Sequence, residues 1–167
     1  MKKLFISLMI AALPMIGSAQ SLRFAYLCYD KVMKNMPEYA TAMKNIDKLR
    51  KQYDAEIKRT EDEFNNKYEE FLEVQSTLAP SIRNKRQVEL QDMMNRGIAF
   101  KSEAARLLQQ AEDDALAPVR KKLSDIISQY GRSEGYAFIL NNDNNTIPYI
   151  DINYGEDITE VMIGKLK

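Results

Sequence analysis

One long stretch limits what this chain can fold into. Residues 38–130 contain a single glycine, Gly97, and two prolines, Pro80 and Pro118, while Glu, Lys, Gln, Ala, Leu and Met dominate. This composition favours helix over far more residues than an ordinary globular helix contains. Turn-forming residues interrupt it only at 77–81, because proline disfavours helix at the residue before it. We therefore predict two long helices joined by a tight turn.

The flanking residues give predicted limits for the two helices. The first should run from about Pro37, which is acceptable at a first helical position, to about Ser76. The second should run from about Ile82 to about Gln129, with Gly131 as its stop. At ~1.5 Å per residue, an arm of about 40 residues extends roughly 60 Å, too long and thin to bury its own surface. We expect an exposed antiparallel hairpin carried by another part of the chain.

An apolar stripe along the first helix repeats every eleven residues. Eleven residues in three turns keep one stripe on one side of a nearly straight helix. The stripe consists of Ile46, Leu49, Tyr53, Ile57, Thr60, Phe64, Tyr68, Phe71 and a slot at Gln75. The stripe on the second helix is broader and smaller in volume: Ile82, Val88, Met93, Met94, Ile98, Ala104, Ala105, Leu108, Ala111, Ala115 and Val119. If the turn centres near Ala79, facing residues have numbers adding up to about 158 to 160, so Phe64 should meet Met94.

The two ends of the chain predict a small β body, which makes the fold class α+β and mostly α. Residues 22–29 and 136–140 have the aromatic and β-branched character of strands, and the Asn/Asp run 141–145 followed by 146–150 indicates a hairpin. A short helix should begin near Asp157 and end at Leu166. Three short strands have too little core for independent stability, so we predict an oligomer.

The first residues predict export. Lys2 and Lys3 precede the apolar stretch 4–16, and small residues then lead to an expected cleavage after Ala19. An uncleaved membrane anchor is the alternative. Cleavage removes two lysines and no acid, so the remaining chain stays close to neutral and its charge gives no reason to expect nucleic-acid binding. The predicted division is residues 1–19 as signal peptide, 20–36 with 132–167 as an oligomerisation body, and 37–131 as the arm.

Composition also excludes several chemistries. The chain has no histidine and one cysteine, Cys28, which rules out a Ser–His–Asp system, a histidine metal site and an intramolecular disulfide. No phosphate-binding loop sequence is present, so we expect neither an enzyme nor a cofactor. The run 141–145 lacks the Gly and Glu of a calcium loop, which favours a turn over a metal site. Cys28 should be a buried strand residue, with an intermolecular disulfide as the alternative.

Three groups of residues on the arm are candidates for function. Met93, Met94 and Phe100 exceed what a narrow two-helix seam needs, so they could contact a partner, although seam packing is the plainer interpretation. Pro118 should kink the second helix, either as a moving hinge or as a static bend. The hairpin tip offers a turn and basic residues for partner or phospholipid contact, with a solvated helix start as the alternative: Pro80, Arg83, Lys85 and Arg86.

The chain resembles the Skp (OmpH-like) periplasmic chaperones over essentially its whole mature length. The resemblance rests on the strand at 24–27, the stretch 32–39 leading into the charged hairpin, residues 135–140 and the segment 157–159 near the C-terminal end. Cys28 stands where that family commonly has Asp.

The resemblance implies a trimer whose small β body holds three helical arms around a central cavity. That cavity would receive unfolded outer-membrane β-barrel proteins after export to the periplasm, without ATP. The near-neutral charge differs from that of the basic members and leaves contact with lipopolysaccharide or membrane open. The alternative function is a structural or adaptor coiled coil of the cell envelope that binds a folded partner.

Overall fold

Two long helices make up most of residues 23–166, the part of the chain that the computed structural model describes. The predicted signal peptide and its cleavage after Ala19 lie outside these residues. In chain order the elements are β1 (Phe24–Leu27), α1 (Tyr29–Lys34), α2 (Pro37–Val74), α3 (Pro80–Glu134), β2 (Ile139–Asn141), a 3-10 turn (Asp143–Asn145), β3 (Gly155–Asp157) and α4 (Thr159–Lys165).

Helices α2 and α3 form the predicted antiparallel hairpin. Three cross-helix ion pairs mark its register, because α2 residues of rising number meet α3 residues of falling number: Glu38 with Lys122, Arg50 with Glu112 and Glu61 with Lys101. Proline occupies the first position of both helices, where its missing N–H costs no helical hydrogen bond. The hairpin and its approximate register are confirmed.

The predicted end of the second helix was wrong. Helix α3 continues to Glu134, and Gly135 terminates it at φ 72°, in the left-handed region that favours glycine. Gly131 lies buried inside the helix, where an added Cβ would sit 3.0 Å from Ile139 Cδ1. Glycine is present there because strand β2 packs closely against the helix, and not because the helix ends. The other limits, Val74 instead of Ser76 and Pro80 instead of Ile82, are shifted by two residues.

The seam between the helices follows the eleven-residue stripe on α2. Ile46 and Phe71 are buried, and the stripe residues between them are half-buried except Tyr68, which is 45% exposed. The prediction for α3 was too broad. Its inward line is half-buried or buried at 90, 93, 97, 100 and 104, and the exposed members of the predicted stripe are Ile82, Val88, Met94, Ile98 and Ala105. A two-helix seam covers one narrow line on each helix, so the flanks of a wide stripe stay in water.

All three strands are parallel, with β1 in the centre between β2 and β3. The predicted hairpin at 141–150 was therefore wrong, since 146–150 forms no strand and the third strand lies at Gly155–Asp157. Parallel neighbours require a crossover connection. The whole helical arm serves as the crossover between β1 and β2.

The Asn/Asp run caps helix α1, an element that we did not predict from the sequence and whose first residue, Tyr29, we placed at the end of the first strand. The Asp143 carboxylate accepts the Asp30 N–H at 3.1 and 3.2 Å, and Asn141 Oδ1 accepts the Tyr29 N–H at 3.4 Å. Cys28 is half-buried at the N-cap position, where its side chain makes no capping hydrogen bond. Cys28 thus lies between the strand and the helix, and it is not the buried strand residue that the sequence predicted.

The core of the body lies on one side of the sheet. Ala25 and Leu27 of β1 point into it, and α1, the last third of α3 and α4 cover them. Besides Ala25 and Leu27, the buried residues of this core are Val32, Met33, Met36, Val119, Leu123, Ile158, Met162 and Ile163. Helix α4 forms as predicted, with Asp157 Oδ1 accepting the Thr159 N–H at 2.9 Å. Among residues 23–166, no helix is long and apolar enough to cross a membrane.

Candidate functional site

An uncharged groove runs along one side of the arm near its tip. It has a volume of about 400 Å³, and no charged side chain lines it. Phe64 and Tyr68 stack with ring centroids 5.9 Å apart, and Tyr68 and Leu72 are each 45% exposed. The lining residues are Phe64, Tyr68, Phe71, Leu72, Gln75, Gln87, Leu90, Gln91 and Met94. We call this surface the neutral groove.

The opposite side of the seam is densely charged. A second groove shares Phe71 and Leu90 with the neutral groove, so both lie at the same height along the arm. Its lining contains three basic and three acidic side chains: Lys67, Arg86, Arg96, Glu70, Glu89 and Asp92. We call this surface the charged groove. The arm therefore has two chemically different sides near its tip.

The three partner-contact candidates come together in a third groove that continues the neutral groove toward the body. Met93, Met94 and Phe100 all line it, and it shares Phe64 and Met94 with the neutral groove. Met94 is 41% exposed, whereas Met93 and Phe100 are half-buried. The Phe100 ring lies 6.3 Å from that of Tyr53 across the seam. Met94 thus has the most surface available to a partner.

Sequence reasoning missed part of this apolar surface. Tyr68 and Ile98 had been assigned to the seam, and Leu72 to neither side, yet all three are exposed, Ile98 by 62%. A narrower seam on both helices would have placed them outside it. The spacing of Tyr68 and Leu72, four residues apart, is the signal that could have marked one helical face.

The basic residues at the tip do not form a single cluster. Pro80 begins α3, and the Arg83 side chain is half-buried, with its Nε making no hydrogen bond among the described residues. Lys85 Nζ lies 3.8 Å from Glu89 on the same helix. Arg86 lines the charged groove. The charges of Lys85 and Arg86 therefore have carboxylates close by.

Pro118 lies at the base of the arm. Helix α3 continues through it, and its ring lines an open groove with Ala42 and Ala115 between the two helices. Beside this groove the Lys122 ammonium donates a hydrogen bond to the Glu38 carboxylate. That bond lowers the pKa of Glu38. The proline is thus placed where the arm meets the body.

A second exposed apolar surface lies on the body. Phe24, on the side of β1 away from the core, stacks on Phe138 with ring centroids 5.3 Å apart, and Phe138 is 42% exposed. The loop before β3 adds Tyr149, Ile152 and Tyr154, which are 78%, 85% and 59% exposed. Monomeric proteins seldom leave so many large apolar side chains in water at one end of a small domain.

A polar cluster on the body contains Arg23, just before β1, Tyr136, just before β2, and Glu156 of β3. The Tyr136 hydroxyl donates to the Glu156 carboxylate, and Arg23 lies 3.4 Å from that carboxylate. Burial, and then the bond to Glu156, raise the pKa of Tyr136 to about 12. Within residues 23–166 no group of three potential metal ligands is found.

Comparison with known proteins identifies relatives of this architecture. Residues 23–166 match the model of a family described as outer membrane protein (OmpH-like). The fold is similar to the crystal structure of a candidate outer membrane chaperone (OmpH-like) from Caulobacter crescentus CB15, with a TM-score of 0.69 and 16% sequence identity over 90% of this chain and 86% of that chain. At this identity the similarity establishes the fold. No curated protein sequence matches the chain.

Proposed function

Because the chain belongs to the OmpH-like family, we propose that it is an ATP-independent periplasmic chaperone that holds unfolded outer-membrane β-barrel proteins between its helical arms. The observation that carries this proposal is the exposed, mostly apolar surface along one side of the arm, which only the Glu61–Lys101 ion pair interrupts, whereas the other side near the tip is densely charged. A structural coiled coil has no need for exposed Tyr68, Leu72 and Ile98 on one side.

The chemistry of this surface suits an unfolded client. An unfolded barrel strand exposes alternating apolar side chains and unpaired backbone groups, and it aggregates unless it is sequestered. Shallow grooves such as these support many weak contacts in place of one tight pocket. Weak contacts allow the client to leave when folding into the membrane competes, so no nucleotide is needed for release.

We propose that Met94 contacts the client, with Met93 and Phe100 forming the floor of the groove beneath it. Methionine suits this role because its flexible side chain adapts to varied apolar partners. The tip residues Arg83 and Lys85 would lie at the open end of the arms, where a client enters.

The body supports the further proposal of a homotrimer. Its sheet is covered by helices on one side only, and Phe24 and Phe138 lie on the other. Association of three copies through this side would bury the exposed aromatic rings and hold three arms around a common cavity. Burial of a large aromatic side chain contributes about 1.5–3 kcal/mol per copy.

An aggregation assay tests the function. The mature protein, added at a near-stoichiometric ratio of trimer to client, should suppress precipitation of a urea-unfolded outer-membrane β-barrel protein on dilution, and nucleotide should make no difference. Native mass should then show three copies alone and three copies with one client. Precipitation at the uninhibited rate, with the protein folded, would refute the holdase function and favour the adaptor, for which a folded envelope partner would be needed.

A further inference from the structure

We propose that the neutral groove binds the backbone of an extended, uncharged client segment, and that the side-chain amides of Gln75, Gln87 and Gln91 supply its hydrogen bonds. This inference rests on the proposed chaperone function and names the part of the arm that performs it. The occupant is a stretch of unfolded β-barrel protein in strand-like conformation.

The difference in charge between the two sides of the arm selects this groove. The neutral and charged grooves lie at the same height and share Phe71 and Leu90, yet one has no charged side chain and the other has six. A helix face that only meets water is typically charged, as the charged groove is. The neutral groove instead resembles the centre of an interface, where charged residues are depleted and aromatic residues and Met are enriched.

The three amides offer what an extended backbone needs. A glutamine side chain carries two N–H donors and a carbonyl with two lone pairs. Gln75, directly after α2, donates from Nε2 to the Leu72 carbonyl at 3.4 Å, and Gln91 donates from Nε2 to Asn95 Oδ1 on the same helix at 3.1 Å. Each amide keeps further donor and acceptor capacity, and Gln87 and Gln91 are exposed. They can therefore bond the N–H and C=O groups that an unpaired strand presents.

The apolar residues of the groove complement the side chains of such a segment. In an extended chain every second side chain points the same way, and Tyr68, Leu72 and Met94 offer exposed apolar surface to that row. Strands of outer-membrane barrels are about ten residues long with one apolar, nearly uncharged face. A charged segment is disfavoured because an unpaired charge loses hydration in an uncharged groove. Backbone hydrogen bonds do not depend on sequence, so one groove can serve clients of different sequence.

Two triple variants and a matched control test the assignment. The first variant is Gln75→Glu, Gln87→Glu and Gln91→Glu, which changes shape little and adds three charges. The control is Gln52→Glu, Gln110→Glu and Gln129→Glu, which adds the same charge at exposed helical positions outside both grooves. The second variant is Gln75→Met, Gln87→Met and Gln91→Met, which keeps the groove apolar and removes the hydrogen bonds. Circular dichroism verifies that each protein is helical.

The measurement is the Kd of the full-length mature protein for a dye-labelled, urea-unfolded eight-stranded outer-membrane barrel, followed by fluorescence anisotropy. We expect the Glu variant to raise the Kd by about tenfold, the Met variant to raise it by about threefold, and the control to stay within about twofold. A photo-crosslinker at Leu72 should capture the client, whereas one at Glu70, in the charged groove, should not.

The outcomes separate the inference from the function on which it rests. If wild type binds the client and the Met variant binds equally well, the amides are not the backbone partners and the inference is overturned. The same conclusion follows if the Glu variant and the control behave alike, or if Glu70 crosslinks as well as Leu72. If wild type itself neither binds nor protects the client, the chaperone function falls, and the inference falls with it.

Discussion

Removal of the Asp143 carboxylate should destabilise the body through a helix that this residue does not belong to. Asp143 follows β2 in sequence, yet its two oxygens accept the N–H of Asp30 in the first turn of α1 at 3.1 and 3.2 Å. The first N–H groups of a helix have no intrahelical partner, and Cys28 at the N-cap position supplies none from its side chain. Asp143 thus performs the capping from a distant loop.

The expected loss of unfolding free energy in Asp143→Ala follows from the typical effect of removing a helix-capping side chain. Loss of a capping side chain costs about 1 kcal/mol, within a range of about 0.5–2, and loss of a negative charge at a helix N-terminus adds about 0.3–1 kcal/mol. The hydrogen bond is exposed, so the lower half of that total applies, about 1 to 1.5 kcal/mol. Urea unfolding at fixed protein concentration measures this free energy, since association of the bodies would make it concentration-dependent. Exchange of the Asp30 amide with deuterium should accelerate by about five- to tenfold.

A second substitution distinguishes capping from a general loss of contacts. Cys28→Asp places an acceptor at the N-cap itself, so Asp143→Ala should cost less than half as much in that background. Asp151→Ala is the matched control, because Asp151 Oδ1 accepts the Asn153 N–H at 2.9 Å within its own loop. Its cost should be the same in both backgrounds. If Asp143→Ala costs as much in the Cys28→Asp background as in wild type, the carboxylate does not act as a cap and the reasoning is refuted.

Three further changes have defined outcomes. Gly155→Ala should destabilise the body by about 1–3 kcal/mol in urea unfolding, because the new Cβ would lie 2.6 Å from the Phe24 ring. An unchanged urea midpoint would show that the Phe24 ring moves aside without cost. Tyr136 has a pKa of about 12, raised from 10.0, so it favours the folded state below pH 10 and loses that contribution as pH rises to 12. The free energy of unfolding of Tyr136→Phe should therefore fall less than that of wild type between pH 10 and 12. If the two free energies fall in parallel with pH, the raised pKa of Tyr136 is contradicted. If Pro118 is a hinge, Pro118→Ala should narrow the distribution of spin-label distances between arms, and identical distributions would leave a static bend.

The arm was predictable because its information is local. A hairpin of two helices needs only helix-forming residues, a turn near Pro80 and a stripe with helical period. The eleven-residue stripe on α2 matches the half-buried positions from Ile46 to Phe71. The stripe predicted for α3 was too broad because Met94 and Ile98 are apolar like core residues, although both are exposed. Composition alone does not distinguish a seam from an exposed apolar surface.

The body was predicted less well because its pairings are not local. β1 pairs with residues 139–141 and 155–157, and nothing in the adjacent sequence indicates parallel order. The Asn/Asp run looked like the turn of a hairpin, since the same residues favour turns and helix caps. Gly131 and Gly135 lie four residues apart, and either could end a helix. Only the structure shows that Gly131 lies inside α3 beside the Ile139 side chain and that Gly135 ends the helix.

The sequence by itself determined that this chain has a long two-helix arm and a small strand-containing body, because helix propensity and apolar period act over a few residues. Tertiary structure decided that the sheet is parallel, that a distant aspartate caps α1, and that the arm has a neutral and a charged side. The sheet and the cap depend on residues that meet across more than a hundred positions of chain, and the two sides of the arm depend on which residues of α2 and α3 face each other. Such contacts are set by packing and not by neighbours in sequence.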